Sequence, residues 1–194
     1  MSETIQEPVS PLMGAVAEGA LTVRELGPTG MISLRGELSD PAFAGPVTAL
    51  AGCPMPDTWT VSGTGARALL WMSPDELLML LPYGEAREAA PRLQAELDGQ
   101  GLHALVQDVS DMRVRLQLQG PHMREALARL SPADVSPGAF RPGSLRRTRI
   151  AQAAAAIRLV SEEEAEVFCF RSVADYAFRL LGGAARNAPD FGYF

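Results

Sequence analysis

Few residues in this chain belong to the types that do chemistry, and their spacing narrows what they can do. The histidines are His103 and His122. No second ligand stands at metal spacing from either, and no HxxxH or HxE pattern occurs, so no zinc or iron site is written into them. His122 stands at a helix start and reads as a surface or capping residue. Cys53 and Cys169 are far apart and outside any CxxC context, the usage of free thiols in a reducing, cytoplasmic setting. Cys169 falls in an apolar strand between Phe168 and Phe170, where a thiol is inert. GTGAR, from Gly63, lacks the strand and helix that flank a phosphate cradle and reads as a turn. With no GxGxxG and no P-loop, the sequence carries no sign of FAD, NAD or nucleotide binding by this chain. Glu162, Glu163 and Glu164 read as a solvated hairpin tip.

Three features carry more. Asp108 and Ser110 open a patterned stretch, and short polar side chains there serve either a site or the turn itself. Arg141, Arg146, Arg147 and Arg149 crowd a segment with no acid between Asp134 and Glu162. They are a candidate contact for an acidic partner surface, the alternative being a solvated strand and loop. At the C-terminus Phe191, Tyr193 and Phe194 follow a small, polar stretch. Rings at a terminus either fold back on their own chain or anchor in a partner.

The elements that position these residues follow from periodicity. After Asp111, Val114, Leu116 and Leu118 alternate with Arg113, Arg115, Gln117 and Gln119, a strand with one buried face. Gly120-Pro121 stops it, and Pro121 suits the first turn of a helix whose apolar stripe is Met123, Ala126, Leu127 and Leu130. Upstream, strands at 21–26 and 31–35 flank GPTG as a hairpin. Asp40 caps a helix with Pro41 at its first position and Pro46 set to kink it. Strands at 58–62, 68–72 and 77–81 precede a helix that ends at Gly99. Downstream, strands at 104–109, 113–119, 145–151, 154–160 and 166–171 and a final helix capped by Ser172 and ended by Gly182-Gly183 repeat that order. Both halves read ββαβββα, about 85 residues each. The expectation is an α+β fold of mostly antiparallel sheet with helices packed on it, internally duplicated. It divides into an extended N-terminal arm (1–19), a single domain of two pseudo-repeats (20–102 and 103–187) and a C-terminal tail (188–194).

Here a resemblance enters. DVSD from Asp108, the alternating strand and GPHMREAL from Gly120 resemble the folate-binding domain of aminomethyltransferase, the glycine-cleavage T-protein. With SPL at Ser10, LWMSPDELLMLLP from Leu70, FRPGSLRRTRIA from Phe140 and FRSVADYAFRLL from Phe170, the chain is similar to the gamma subunits of heterotetrameric sarcosine oxidase, and the matches run in order across nearly its whole length. The resemblance implies the T-protein fold class and an accessory subunit of a complex that oxidises sarcosine to glycine and hydrogen peroxide and passes the one-carbon unit to tetrahydrofolate. It implies that FAD, FMN, NAD and tetrahydrofolate reside in the larger subunits, and that this chain braces the alpha subunit. In the T-protein family a carboxylate on the strand after the loop attends folate; by the resemblance that place falls at Ala153, Ala154, Ala155 and Ala156. Methyl groups accept no proton, so the resemblance implies a chain with no catalytic, cofactor or metal residues. A stand-alone folate-dependent transferase and a small-molecule binding module remain alternatives.

Composition bounds the rest. The chain has 194 residues, 47% hydrophobic, enough for a real core, and a net charge of -6. An acidic chain suits no nucleic-acid backbone. No apolar run approaches the roughly 20 residues of a membrane span, and the N-terminus has no signal-peptide pattern. The sequence therefore points to a cytoplasmic protein of a hetero-oligomer.

Overall fold

Alternation and turn chemistry place eleven strands and four α-helices along residues 8–187, the part of the chain that the computed structural model describes. The first half runs β1 (Val16–Ala17), β2 (Thr22–Glu25), β3 (Gly30–Arg35), α1 (Pro41–Ala51), β4 (Val61–Thr64), β5 (Arg67–Ser73), β6 (Glu76–Leu81) and α2 (Tyr83–Gly99). The second runs β7 (Leu105–Asp108), β8 (Arg113–Gln119), α3 (Met123–Leu130), β9 (Leu145–Ile150), β10 (Ala153–Ser161), β11 (Glu164–Phe170) and α4 (Ala174–Arg186). From β2 onward the order is ββαβββα twice, the expected duplication.

The hairpin expected across GPTG does not form. The strands make two antiparallel sheets, β4-β5-β6-β3-β7 and β1-β2-β8-β11-β10-β9, so β2 and β3 part company at Gly27 (φ 74). The burial patterns give the reason. β2 offers one apolar face, with Val23 in and Arg24 out, and matches the equally one-sided β8. β3 is buried on both faces and belongs beside β6, which is buried at every position. Correspondingly β7, the first strand of the second half, pairs with β3. Each half thus lends its first strand to the other's sheet.

The two sheets face each other. Outer-face residues such as Leu69, Trp71, Leu77 and Met79 pack on α1 and α2; Leu116, Ile157 and Val167 pack on α3 and α4. Between the sheets, Met31, Leu70, Met72, Leu78 and Leu80 meet Leu145, Ala156 and Phe168. Strands buried on both faces read as continuous apolar runs, which is why LLWM and LLMLL lack alternation. The sheets are also tied at one edge. Thr60 bridges Ser144, Val61 N–H donates to Gly143 O (2.8 Å) and Leu145 N–H donates to Trp59 O (2.7 Å). Trp59 adopts φ 64, unusual for a bulky residue, and its ring packs tilted against Trp71, centroids 4.9 Å apart.

Helix ends depart from expectation in three places. α3 begins at Met123, after a turn at Gly120-Pro121-His122, so Pro121 precedes the helix rather than opening it. Ser172 lies in a 3-10 turn (Arg171–Val173) and caps nothing by its side chain; Asp175 instead pairs with Arg179. Gly182-Gly183 does not end α4, which continues to Arg186. A Cβ at Gly182 would sit 3.0 Å from the Ala17 Cβ, so the glycine permits close approach of helix and strand. α1 and α2 run through Pro46 and Pro91, while Asp40 caps α1 as expected, its Oδ1 accepting from Ala42 N–H at 2.8 Å.

Residues 8–19 of the expected arm lie on the chain's own sheet. Val16–Ala17 pairs with β2, and the buried Glu25 carboxylate accepts from Ser10 Oγ (2.7 Å), Leu12 N–H (3.2 Å) and Gly14 N–H (2.7 Å). A buried carboxylate is tolerated there because three donors replace water. β1 thereby covers the outer edge of β2. The equivalent edge of β7 has a different cover. The Gln94 amide on α2 donates to Ala104 O (3.1 Å) and accepts from Val106 N–H (2.7 Å), the two bonds a neighbouring strand would make.

Two outcomes check these assignments. Leu127 is fully buried on α3, so Leu127→Ala should lower unfolding free energy by about 2–5 kcal/mol in urea titration; a loss under about 0.5 kcal/mol would put it on the surface. Gln94→Ala should cost about 1–2 kcal/mol, one net hydrogen bond each for two backbone groups, and speed exchange of the Val106 amide; Gln94→Glu keeps the acceptor for Val106 N–H but sets a carboxylate against Ala104 O and Asp98, so it should be no more stable than the alanine variant.

Candidate functional site

The Asp108–Ser110 motif is occupied by structure. Asp108 Oδ1 accepts from Ser110 N–H (2.9 Å) and Ser110 Oγ (2.5 Å), while Ser110 Oγ in turn accepts from Met31 N–H (2.9 Å). Ser110 is buried, and its hydroxyl fastens the 3-10 turn Ser110–Met112 onto β3. The aspartate serves a turn, and the serine joins the two halves. Tyr83 on α2 donates to Asp111 (2.8 Å), a bond that raises the phenol above its ordinary value.

The polar chemistry of the molecule collects instead on the inner face of the second sheet. There β8 offers Arg113 and Arg115, β11 offers Glu166, Phe168 and Phe170, β10 offers Ala154, Ala156 and Arg158, and β9 offers Arg147 and Arg149. The register fixes their neighbours: Arg113 opposite Phe170, Arg115 opposite Phe168, Arg158 opposite Glu166, and Ala156 between Phe168 and Arg147. Glu166 is buried between two guanidiniums, bonded to Arg115 at 2.5 Å and 3.6 Å from Arg158. Burial pushes the pKa of Arg158 down against the pull of Glu166. One carboxylate for two buried cations leaves Arg115 Nε, Arg158 Nη1 and Glu166 Oε2 without hydrogen bonds. The sequence signal for this cluster was the alternation of Arg113 and Arg115 with apolar residues, matched by Glu164 and Glu166 in the strand that pairs with theirs.

The four arginines named from the sequence do not share one surface. Arg141 is exposed in the loop before β9, its N–H bonded to Ser144 Oγ (3.3 Å). Arg146 turns toward the helical side, donating to Leu145 O (2.9 Å) and Ala139 O and covering the Phe140 ring at 5.3 Å. Arg147 reaches from the inner face to the first sheet, 3.3 Å from Glu76 Oε2 and 3.5 Å from Met72 O, with its side chain still exposed. Arg149 is exposed. Phe191, Tyr193 and Phe194 lie outside the described residues.

Other candidates resolve into structure. Glu162 is more than a solvated tip: it accepts from Arg124 at 2.6 Å, a buried guanidinium on α3 that also donates to Val135 O (2.7 Å) and Phe140 O (2.9 Å). Arg124 thus secures the loop after α3, a duty that an arginine beside an apolar stripe does not announce. GTGAR forms the β4–β5 turn. His122 precedes α3 without a side-chain cap bond. Among the described residues, no three His, Cys, Asp or Glu side chains gather as a metal site, and no helix is long and apolar enough to cross a membrane. A groove of about 490 Å³ runs between α1 and α2, with Leu50 and Leu93 in it and Glu85, Glu88 and Glu96 along its rim.

Cys169 is buried among apolar side chains, and burial pushes its thiol up to about 11. Folding therefore favours the protonated form; that stabilisation is present below the ordinary value of 9.0 and is lost as pH rises through about 11. A thiol reagent applied to the folded chain near pH 8 should leave Cys169 unmodified and react with it only on denaturation; mass spectrometry showing Cys169 labelled in the folded protein contradicts this.

The geometry can be set beside known proteins. A heterotetrameric sarcosine oxidase chain from Corynebacterium sp. U-96 is similar over 95% of this chain and 99% of its own, with a TM-score of 0.82 and 25% identity. Aminomethyltransferase T of the glycine cleavage system from Bartonella henselae shares the fold, with a TM-score of 0.62 at 16% identity over 88% of this chain and 47% of its own. The sarcosine oxidase gamma subunit of Arthrobacter sp. is 30% identical over 140 residues, 70% of this chain and 67% of that one; that of Corynebacterium sp. (strain P-1) matches to the same extent. The model of the sarcosine oxidase gamma subunit family matches residues 35–187, and the chain belongs to that family.

Proposed function

We propose that this chain is a structural subunit without a catalytic group of its own, seated in a cytoplasmic sarcosine oxidase complex against the alpha subunit, the large chain that hands the one-carbon unit to tetrahydrofolate. The observation that carries this reading is how the T-protein-like stretch is used. Its aspartate and serine are spent on a turn and on joining the halves, and β10 brings only Ala153–Ala156 methyls where the enzyme family resembled would need a carboxylate. What the chain offers outward is adhesive: the exposed Arg141 and Arg149, the exposed Trp59 ring, and the acid-rimmed groove between α1 and α2. Under this reading FAD, FMN, NAD and tetrahydrofolate are held by the other subunits. The aromatic tail at 191–194 is a further contact.

Purified alone, the chain should be colourless and produce no peroxide from sarcosine. Expressed with the large subunits, it should co-purify with them. Exchange of Arg141 and Arg149 for glutamate (Arg141→Glu with Arg149→Glu) should weaken that association while leaving the melting temperature of the isolated chain in place, because neither side chain is buried. Stoichiometric flavin or sarcosine turnover in the isolated chain would overturn the proposal.

A further inference from the structure

Arg113 carries a charge that its surroundings leave poorly met. It is half-buried, and its Nε is shut off from water without a hydrogen-bond partner. Among the described residues no carboxylate lies within ion-pair distance of it. Its guanidinium carbon lies 5.0 Å from the centre of the Phe170 ring. Burial pulls its pKa down, Glu76 pulls it back and the nearby Arg147 lowers it further. Glu76 is already engaged: it accepts from Arg35 at 3.0 Å and from Arg147 at 3.3 Å. The neighbourhood therefore carries more positive charge than it neutralises, in a place partly closed to water.

The same place is hollow. Ala154 and Ala156 stand in β10 between the aromatic column of β11 and the arginine column of β9, and each fills its position with one methyl. The space left is about 80 Å³, with Met72, Arg113, Arg147, Ala154, Ala156 and Phe170 in its wall. That is several times the roughly 15 Å³ that a single water requires. Two guanidiniums at the rim supply paired N–H groups in the fork that fits a planar carboxylate. The rest of the wall is mainly methyl, thioether and ring, with Thr148 and Ala155 also lining it, and it suits the short carbon chain of an organic acid.

We propose that this hollow is a carboxylate-binding site, in which Arg113 and Arg147 take the two oxygens of a carboxylate over the Ala154–Ala156 floor. The carboxylate comes either from a small free acid or from an aspartate or glutamate side chain of a partner subunit. The alanines that remove catalytic chemistry from β10 are, in this light, what makes room for the ligand. The site does not depend on the chain being non-catalytic, and its test reads binding alone.

The test uses the full chain with acetate as the probe, following the methyl resonances of Ala154 and Ala156 by NMR, with chloride at equal ionic strength as the control. Acetate should shift both methyls saturably, and chloride should not. Arg113→Gln should raise the acetate Kd by roughly tenfold, the loss of one charge-assisted contact. Ala154→Leu fills the hollow without touching charge, sits at an exposed position that tolerates the larger side chain, and should abolish the Ala156 response with the melting temperature unchanged. It keeps the test decisive even if the arginine variant folds poorly. The source of the carboxylate then reads out on adding the large subunits. A free acid as ligand leaves the acetate Kd where it was. A partner's side chain displaces acetate, and Arg113→Gln then weakens subunit binding as well. Absent saturable acetate shifts, or equal shifts in the wild type and both variants, overturn the proposal.

Discussion

β2 is bonded to β8, and β7 to β3; each is the first strand of one half built into the sheet of the other. Everything else in the molecule presupposes that exchange. Without β2 the second sheet would present the edge of β8, and without β7 the first would present the edge of β3, so neither half can close its own sheet. The exchange also brings the sheets face to face, because the connections at Gly27 and at the Ser110–Met112 turn must cross from one to the other. Ser110 Oγ on the β3 backbone is the bond that holds one of these crossings, which accounts for a serine at that place without any reference to catalysis.

Facing sheets need an interior that is mostly apolar, and the first sheet supplies one through Met31, Leu70, Met72, Leu78 and Leu80. The second sheet answers only in part. Phe168, Ala156 and Leu145 meet that surface, while Arg113, Arg115, Arg158 and Glu166 occupy the same face. Holding one buried and two half-buried guanidiniums against so few carboxylates costs more than an apolar replacement would. A fold that needed only stability has no use for this arrangement, so the cost points to a ligand or a neighbour that meets the charge.

Much of the fold was legible in the sequence because its signals are local. Period two in β8, the Asp40-Pro41 cap and the apolar stripe of α3 each involve residues within one or two turns of one another, and the structure has them. The duplication was legible for the same reason, as a repeated order of local signals. The GPTG hairpin and the Gly182-Gly183 stop failed because each turned on a partner distant in sequence: β8 for β2, and Ala17 for Gly182. The chemistry was less legible than the fold. Arg141, Arg146, Arg147 and Arg149 are neighbours in sequence, but strand alternation sends Arg146 to one face and Arg147 to the other. Arg115 is far in sequence from Arg158 and Glu166, and only the β8–β11 pairing brings it to them.

The Gln94 amide on the edge of β7 has a consequence for how the protein lives before it meets its partners. A subunit of a hetero-oligomer is synthesised as a separate chain and must persist until the others arrive. During that interval any row of unpaired backbone groups invites a second copy to add a strand, and copies so joined grow into aggregates. On the β2 side that row is covered by β1, held through Glu25. On the β7 side a single side chain imitates a strand over two residues, enough to spoil the template without extending the sheet. With both edges interrupted, the waiting chain offers a second copy little backbone to extend.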